Sequence, residues 1–167
     1  IKDYDPETGL YTLGYPNREV ENAFLRYLID AYTPVRKELA ASHLVRLHQA
    51  VGKGDVDQFI EHLKVFFSGI PNNITIKNEK YYQTIFYLVF KVVGLTIDAE
   101  VNTNKGRIDA VAKTDKHIFI FEFKLGGTAE DALQQIRDRE YVQMFSEDSR
   151  QVTLIGAAFD PNTRNIE

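Results

Sequence analysis

Residues 106–124, GRIDAVAKTDKHIFIFEFK, decide the fold of this chain. They form two β-rich runs on either side of the polar turn Thr114-Asp115-Lys116, a pattern that predicts a hairpin or a pair of neighbouring antiparallel strands. Side chains alternate between the two faces of a strand. The alternation divides the second run into one face with Phe119, Phe121 and Phe123 and another with Ile118, Ile120, Glu122 and Lys124.

The same alternation divides the side chains of the first run between two faces. It places Arg107, Asp109 and Val111 on one face, opposite Ile108, Ala110 and Ala112. We therefore expect Asp109, Glu122 and Lys124 to point into one space near the strand ends, where fewer apolar side chains cover the sheet. Taken singly, each is equally a polar strand residue or half of a cross-strand charge pair, but together they form a candidate chemical site.

Helical patterns flank these strands. Residues 78–93 carry an apolar stripe, and a Thr128–Asp131 capping box opens a second helix that is expected to extend to about Met144. Residues 96–101 and 152–159 are typical of further strands, and the last lacks alternation, so we expect it to be buried on both faces. The order helix, three strands, helix, strand predicts an α/β domain over residues 77–167, with a mixed four-stranded sheet flanked by helices.

Residues 1–76 are predicted to form a helical segment, with a boundary at residues 71–76. Turn signals surround a short β-prone piece at residues 10–13. Helices are then expected to start near Asn17, Pro34 and Asp55, each with an apolar stripe. These stripes must be covered, either by each other or by another part of a larger protein.

Composition excludes several classes of protein. The 167 residues, 44% hydrophobic and 12% aromatic, suffice for a buried core, which argues against global disorder. The absence of cysteine excludes disulfides and zinc–thiolate sites and fits a cytoplasmic protein. No apolar run approaches the roughly 18 residues that a membrane helix needs, so no membrane partner is expected.

The net charge of −4 is spread evenly along the chain. Residues 1–76 contain 8 basic and 10 acidic residues, and residues 77–167 contain 12 and 14. A protein that binds nucleic acid usually carries a basic surplus. Its absence weakens a nucleic-acid function without excluding it, because carboxylates that bind metal also lower the net charge.

Asp109, twelve further residues and then Glu122-Phe123-Lys124 at a strand end resemble the PD-(D/E)XK nuclease-like superfamily over about residues 78–160. The proline in the motif's name is missing before Asp109. The resemblance implies a restriction-endonuclease-like core and a catalytic set of Asp109, Glu122, Lys124 and Gln135, where the neighbouring Gln134 competes for the last role. It also implies Mg²⁺ or Mn²⁺ as cofactor, and it matches Glu79 to an acidic residue at the start of the first core helix.

The chemistry of these residue types agrees with that implication. Mg²⁺ prefers oxygen ligands and is usually held by one or two carboxylates together with waters and substrate phosphate. Asp109 and Glu122 would supply the carboxylates, with the backbone carbonyl of Phe123 as a third ligand and Glu79 bound through water or to a second ion. The metal would polarise the scissile phosphate and lower the pKa of a bound water. Lys124 would orient that water or neutralise charge that develops on the phosphate.

More narrowly, the chain resembles the C-terminal part of a bacterial family that joins an AAA-type ATPase-like domain to a nuclease-like domain. The segments that carry this resemblance are LGYPNREV at 13–20, NEKYY at 78–82, TNKGRID at 103–109, FEFK at 121–124 and IG at 155–156. It implies that residues 1–76 are a helical linker or tail of an ATPase-like region outside this sequence. Tyr141 resembles a tyrosine of one nuclease branch, and Arg107 and Lys105 are candidates for phosphate contacts.

Two functions therefore follow from the sequence. The first is a metal-dependent nuclease that hydrolyses phosphodiester bonds, in DNA rather than RNA. The alternative is a non-catalytic binding or regulatory module that keeps the fold inside a larger ATPase-containing protein. The complete set of site residues favours the nuclease, and the negative net charge of both halves of the chain favours the non-catalytic module. A homodimer formed through the helical stripes is a further expectation.

Overall fold

The computed structural model describes residues 2–32, 37–70, 78–160, 162 and 166. The predicted boundary at 71–76 and the predicted helix start at Pro34 lie outside these described residues. The described elements follow in the order β1 (Asp3–Asp5), β2 (Leu10–Thr12), α1 (Arg18–Tyr32), α2 (Lys37–Lys53), α3 (Val56–Ser68), α4 (Glu79–Val93), β3 (Thr96–Thr103), β4 (Gly106–Lys113), β5 (His117–Leu125), α5 (Ala129–Asp138), a 3₁₀ helix (Tyr141–Phe145) and β6 (Gln151–Phe159).

The central sheet has the strand order β3-β4-β5-β6. The first two pairings are antiparallel, as expected for strands joined by tight turns, and β6 joins β5 in parallel after the α5 crossover. A mixed α/β fold with a four-stranded sheet flanked by helices is thereby confirmed. A separate hairpin, β1 with β2, precedes the helices, and only its second strand was predicted.

Local capping explains where the helices begin and end. Asn78 caps α4 by accepting a hydrogen bond from the backbone N–H of Lys80, and Gly94 ends that helix in the left-handed conformation at φ 85°. Thr128 and Asp131 form the predicted capping box at the start of α5. Asp55 caps α3 in the same way through Gln58 N–H.

The phenylalanine face of β5 packs against α3 and α4. The Phe86 ring of α4 lies 4.9 Å from the ring of Phe121 and 4.6 Å from that of Phe123, measured between centroids. Phe59 of α3 contacts the same group, 5.1 Å from Phe90. Buried residues of α1 and α2 belong to this cluster as well. The helices of residues 18–68 and the sheet therefore share one hydrophobic core.

The opposite face of the sheet is covered by α5. A second cluster contains Ile118 and Ile120 of β5 with Ile136 of α5. The close approach depends on Gly156 of β6, where a Cβ atom would lie 2.2 Å from the carbonyl oxygen of Ala129. That distance is too short for any other residue, so Gly156 determines how near α5 and its polar side chains come to the sheet.

Two predicted elements differ from the structure. The helix expected to reach about Met144 ends at Asp138, and Glu140 adopts a left-handed backbone with φ 51° before the 3₁₀ helix. This break lets Tyr141 turn into the second cluster, where it is 2% exposed. The last strand is buried only in its second half, because Gln151 is exposed and residues 152–154 are half-buried.

In the part of the chain that the structure describes, no helix combines the length and the apolar character needed to cross a membrane.

Candidate active site

Strand β4 departs from regular sheet geometry at Asp109. The β3–β4 register pairs Ala99 with Ala110 and Val101 with Ile108 but omits Glu100 opposite Asp109. Glu100 has φ 51°, a left-handed conformation that is unusual for a residue other than glycine. On the other side, the β4–β5 pairing ends at Ala110 with Phe121. Asp109 therefore lies where β4 separates from both of its neighbours.

The distortion changes which face the β4 side chains occupy. Alternation predicted Ile108 and Ala110 on the same face, and this prediction is wrong: Ile108 packs in the α5 cluster, whereas Ala110 packs in the α4 cluster. The intervening Asp109 points along the gap between the strands. Its Oδ2 accepts a hydrogen bond from the backbone N–H of Phe123 at 2.9 Å. The break in the ladder thus brings the Asp109 carboxylate to the end of β5.

Glu122 projects from β5 toward α5 and is 3% exposed. Its Oε1 accepts a hydrogen bond from the side-chain amide of Gln135, whose own oxygen accepts one from Lys124 Nζ at 2.5 Å. Lys124 Nζ also lies 4.0 Å from Glu122 Oε1. Gln135 therefore bridges the carboxylate and the ammonium group and holds both in place.

The second oxygen of this carboxylate differs from the first in its hydrogen bonding. Glu122 Oε2 is buried and has no hydrogen-bond partner of regular geometry among the described residues, although the backbone N–H of Asp109 comes close enough to the same carboxyl group to lower its pKa. A buried acceptor without a partner is costly, on the order of 1–3 kcal/mol and more when it is charged. Such an atom in an otherwise satisfied network indicates a position for a ligand, an ion or a proton.

Negative charge accumulates around this atom. Burial and then the neighbouring Asp109 carboxylate raise the pKa of Glu122 to about 7, and Lys124 offsets only part of that effect. Burial also raises the pKa of Asp109, against the opposing hydrogen bond from Phe123, and Glu79 raises it further. A buried carboxyl group whose ionisation is hindered by a neighbouring carboxylate in this way favours either a retained proton or a bound cation.

The donor set fits a hard divalent cation. Asp109 and Glu122 supply carboxylate oxygens, and the N–H and C=O of one residue in an antiparallel pair point to the same edge of the strand. Since the N–H of Phe123 points to Asp109, its carbonyl faces that side too.

No group of three or more Asp, Glu, His or Cys side chains suited to a metal occurs among the described residues. Mg²⁺ usually takes one or two carboxylates with waters, so two suffice.

Glu79 is the first residue of α4 and is half-buried. It raises the pKa of both Asp109 and Glu122, so it lies within electrostatic reach of them. Its Oε1 accepts a hydrogen bond from the Gln83 side-chain amide at 3.3 Å. Glu79 is therefore placed to add negative charge beside the two carboxylates, and its role as a ligand stays a prediction.

The predicted substrate contacts lie around the start of β4, before Asp109 in the chain. Arg107 pairs with Glu100 at 3.5 Å, and Lys105 pairs with Glu140. The buried Tyr141 donates its hydroxyl hydrogen to the carbonyl of Arg107 at 2.8 Å. This bond ties the 3₁₀ helix to β4 next to the distortion, which is a supporting position. Contacts of these three residues with substrate stay predictions.

Sequence reasoning missed two features of the site. One is the role of Gly156, which sets the distance between α5 and the sheet; the sequence shows this residue only as part of the IG segment at 155–156 and as an interruption of an apolar strand. The other is a groove beside Asp109, lined on one side by a polar stripe of α4 at positions 80, 83, 84 and 87. Its i, i+3, i+4, i+7 spacing opposite the apolar stripe is a signal that the sequence does carry.

Comparison with known proteins adds a family to this geometry. A family model described as the PD-(D/E)XK nuclease superfamily matches residues 77–167. A curated protein from Azotobacter chroococcum mcd 1, described as an uncharacterized protein in vnfD 5'region, is 30% identical over 168 residues. The alignment covers 93% of this chain and 31% of that protein, so the chain spans about a third of the relative's length. No solved structure matches the chain significantly.

Proposed function

Since the chain belongs to the PD-(D/E)XK nuclease superfamily, we propose that it is a nuclease that hydrolyses phosphodiester bonds, in DNA rather than RNA, with Mg²⁺ or Mn²⁺ as cofactor. The observation that carries the proposal is the buried, unpartnered Oε2 of Glu122. It lies in a network with Gln135 and Lys124, and Asp109 raises the pKa of the same carboxyl group. A purely structural charge pair would not need such an atom.

Each residue then has a distinct part in hydrolysis. Asp109, Glu122 and the Phe123 carbonyl would hold the ion, with Glu79 as an additional ligand or a ligand through water. The ion, when bound, polarises the scissile phosphate and lowers the pKa of an attacking water. Lys124 places a positive charge where negative charge develops on the phosphate. Gln135 is a positioning residue, because its amide is engaged with both Glu122 and Lys124.

The test is cleavage of a panel of single-stranded, duplex and branched DNA with Mn²⁺. Glu122→Gln and Lys124→Met are expected to abolish cleavage. The matched controls are Asp98→Asn and Lys113→Met, because these two residues form an exposed pair at 3.3 Å on β3 and β4 outside the site. Cleavage that persists in Glu122→Gln, or that is lost equally in the controls, would refute the assignment.

The alternative is a non-catalytic module that keeps the fold for binding or regulation. The net charge of −4, without a basic surplus, favours it. The two functions differ in their response to metal. A melting temperature that Mn²⁺ raises in wild type but not in Asp109→Ala supports the nuclease site, and equal melting temperatures with and without Mn²⁺ support the module.

We extend the proposal to partners and surroundings on the resemblance described above. The chain is proposed to act within a longer bacterial, cytoplasmic protein, joined through residues 1–76 to an AAA-type ATPase-like region, and the greater length of the Azotobacter relative is compatible with this. A homodimer is a separate proposal, because large apolar side chains of residues 4–27 are exposed. Light scattering at high concentration tests it, and a monomer would refute it.

A further inference from the structure

A groove runs from Asp109 along the outer surface of α4. Its floor is apolar and consists of Ala99, Ala110 and Phe123, and one wall consists of Tyr87 and the polar side chains before it on α4. The groove has a volume of about 270 Å³, near the lower end of the roughly 300–1,000 Å³ typical of small-molecule sites. It is therefore large enough for one small group.

The groove has two chemically different parts, an inner end that carries negative charge and a wall that is formed by α4. Asp109 occupies the inner end, where a cation is needed before any phosphate can approach. Tyr87 is half-buried, and the ammonium group of Lys91 lies 5.5 Å from the centroid of its ring. Lys80 lines the same wall with its ammonium group, and Thr84 donates its hydroxyl hydrogen to the Lys80 carbonyl at 2.7 Å, so this wall presents an aromatic ring flanked by single lysines rather than a row of cations. Such a surface suits a nucleobase better than a phosphate backbone.

The acidic residue on the β3 side of the groove does not change this description. Glu100 lines the groove on the β3 side, but Arg107 lies 3.5 Å from its carboxylate and offsets its charge. The amide of Gln83 is turned toward Glu79 at 3.3 Å, which leaves the ring of Tyr87 and the ammonium group of Lys80 as the groups of this wall that can contact a ligand. The protein also has no basic surplus to attract a duplex backbone. Affinity for nucleic acid must then come in large part from contacts with bases.

We propose that this groove binds one unpaired base of a single-stranded DNA segment, stacked on Tyr87, next to the phosphodiester bond held at Asp109. The proposal rests on the nuclease function proposed above and names its substrate class. A base within a duplex would have to leave its stack and its pair to enter the groove. Single strands, flaps or frayed ends are therefore the expected substrates, ahead of intact duplex.

The first experiment compares cleavage of one sequence as single strand and as duplex by Tyr87 variants, with Mn²⁺. Tyr87→Ala is expected to lower kcat/KM on the single strand roughly 5- to 150-fold, which corresponds to a stacking free energy of 1–3 kcal/mol. Tyr87→Phe, which keeps the ring, is expected to retain wild-type cleavage. The matched control is Tyr27→Ala, a tyrosine of α1 that is 69% exposed and outside the groove.

A second measurement begins with the wild-type protein, so its first step does not depend on the folding of a variant. A single abasic nucleotide is moved stepwise along the single strand, which removes one base and keeps every phosphate. Cleavage of one neighbouring bond is expected to fall by the same factor as in Tyr87→Ala. Combining the abasic position with Tyr87→Ala should cause no additional loss, because both changes remove one stacking contact.

The outcomes separate the groove from the nuclease function. Cleavage by Tyr87→Ala at the wild-type rate, or equal losses on single strand and duplex, would refute the groove assignment while the nuclease function stands. A wild-type protein that neither binds nor cuts any of these DNAs would refute the nuclease function and the groove with it. An abasic scan without a sensitive position would also overturn the groove assignment.

Discussion

Replacing Glu122 by glutamine should stabilise the metal-free protein at alkaline pH and leave its stability unchanged at acidic pH. The reason is the buried carboxyl group, whose pKa burial and Asp109 raise from an ordinary value of 4.5 to about 7. Below pH 4.5 the group is protonated in both the folded and the unfolded chain. As the pH rises toward 7, the unfolded chain releases this proton first, so the free energy of unfolding falls until the folded pKa is passed.

The magnitude follows from the two pKa values. The difference between about 7 in the folded protein and 4.5 in the unfolded chain corresponds to up to about 3 kcal/mol at pH 8. Glu122 is only 3% exposed, so solvent screening does not reduce this figure appreciably. Glutamine has a similar shape and no charge, and it removes the penalty. A gain of this size corresponds to roughly 6–12 °C in melting temperature for a chain of this length.

Urea unfolding in the presence of a chelator at pH 5, 6, 7 and 8 measures the effect. The difference between Glu122→Gln and wild type should grow from less than about 1 kcal/mol at pH 5 to about 3 kcal/mol at pH 8. Asp98→Asn, which changes a carboxylate that is half-exposed on β3, should show no comparable rise. A difference that is constant with pH, or a wild type that is the more stable protein at pH 8, would refute the reasoning about the Glu122 carboxylate.

Three further predictions concern packing, positioning and metal. Gly156→Ala should destabilise the protein by about 1–3 kcal/mol in urea unfolding, because the new methyl group overlaps α5; Gly52→Ala, whose Cβ meets nothing within 4 Å, should not. Gln135→Ala should lower cleavage or metal affinity roughly 10- to 100-fold, whereas Gln134→Ala, whose amide bonds only to Asp138 in the described network, should leave both near wild type; equal effects would contradict the assigned bridge. Mn²⁺ at about 100 times its dissociation constant should add about 2.7 kcal/mol to the unfolding free energy of wild type and little to that of Asp109→Ala, and an equal gain in both would place the metal elsewhere.

The parts of the fold that sequence reasoning predicted correctly depend on contacts over a few residues. The faces of β5 follow from a two-residue period, so the three phenylalanines share one face and Glu122 lies on the other, as expected. Helix starts at Asn78 and Thr128 follow from side chains that bond to the backbone two or three residues on. The element order from residue 78 follows from these local signals joined together.

The errors all occur where a distant contact overrides a local pattern. Alternation on β4 failed at Asp109, because the bend there accompanies the left-handed Glu100 on the neighbouring strand. The end of α5 was misplaced, because the Tyr141 hydroxyl bonds to the carbonyl of Arg107, 34 residues earlier in the chain. The burial of β6 was overestimated, because β6 lies at the edge of the sheet and pairs with β5 alone.

The sequence by itself determined which residues carry the candidate chemistry, because residue type and spacing along a strand are local properties. It grouped Asp109, Glu122 and Lys124 near strand ends, although Asp109 lies in the middle of β4, and it left the choice between Gln134 and Gln135 to a resemblance. Only the tertiary structure decided that Gln135 bridges Glu122 and Lys124, and that the second Glu122 oxygen is buried without a partner among the described residues. Both outcomes depend on how closely α5 approaches the sheet across Gly156, a distance that no local pattern encodes.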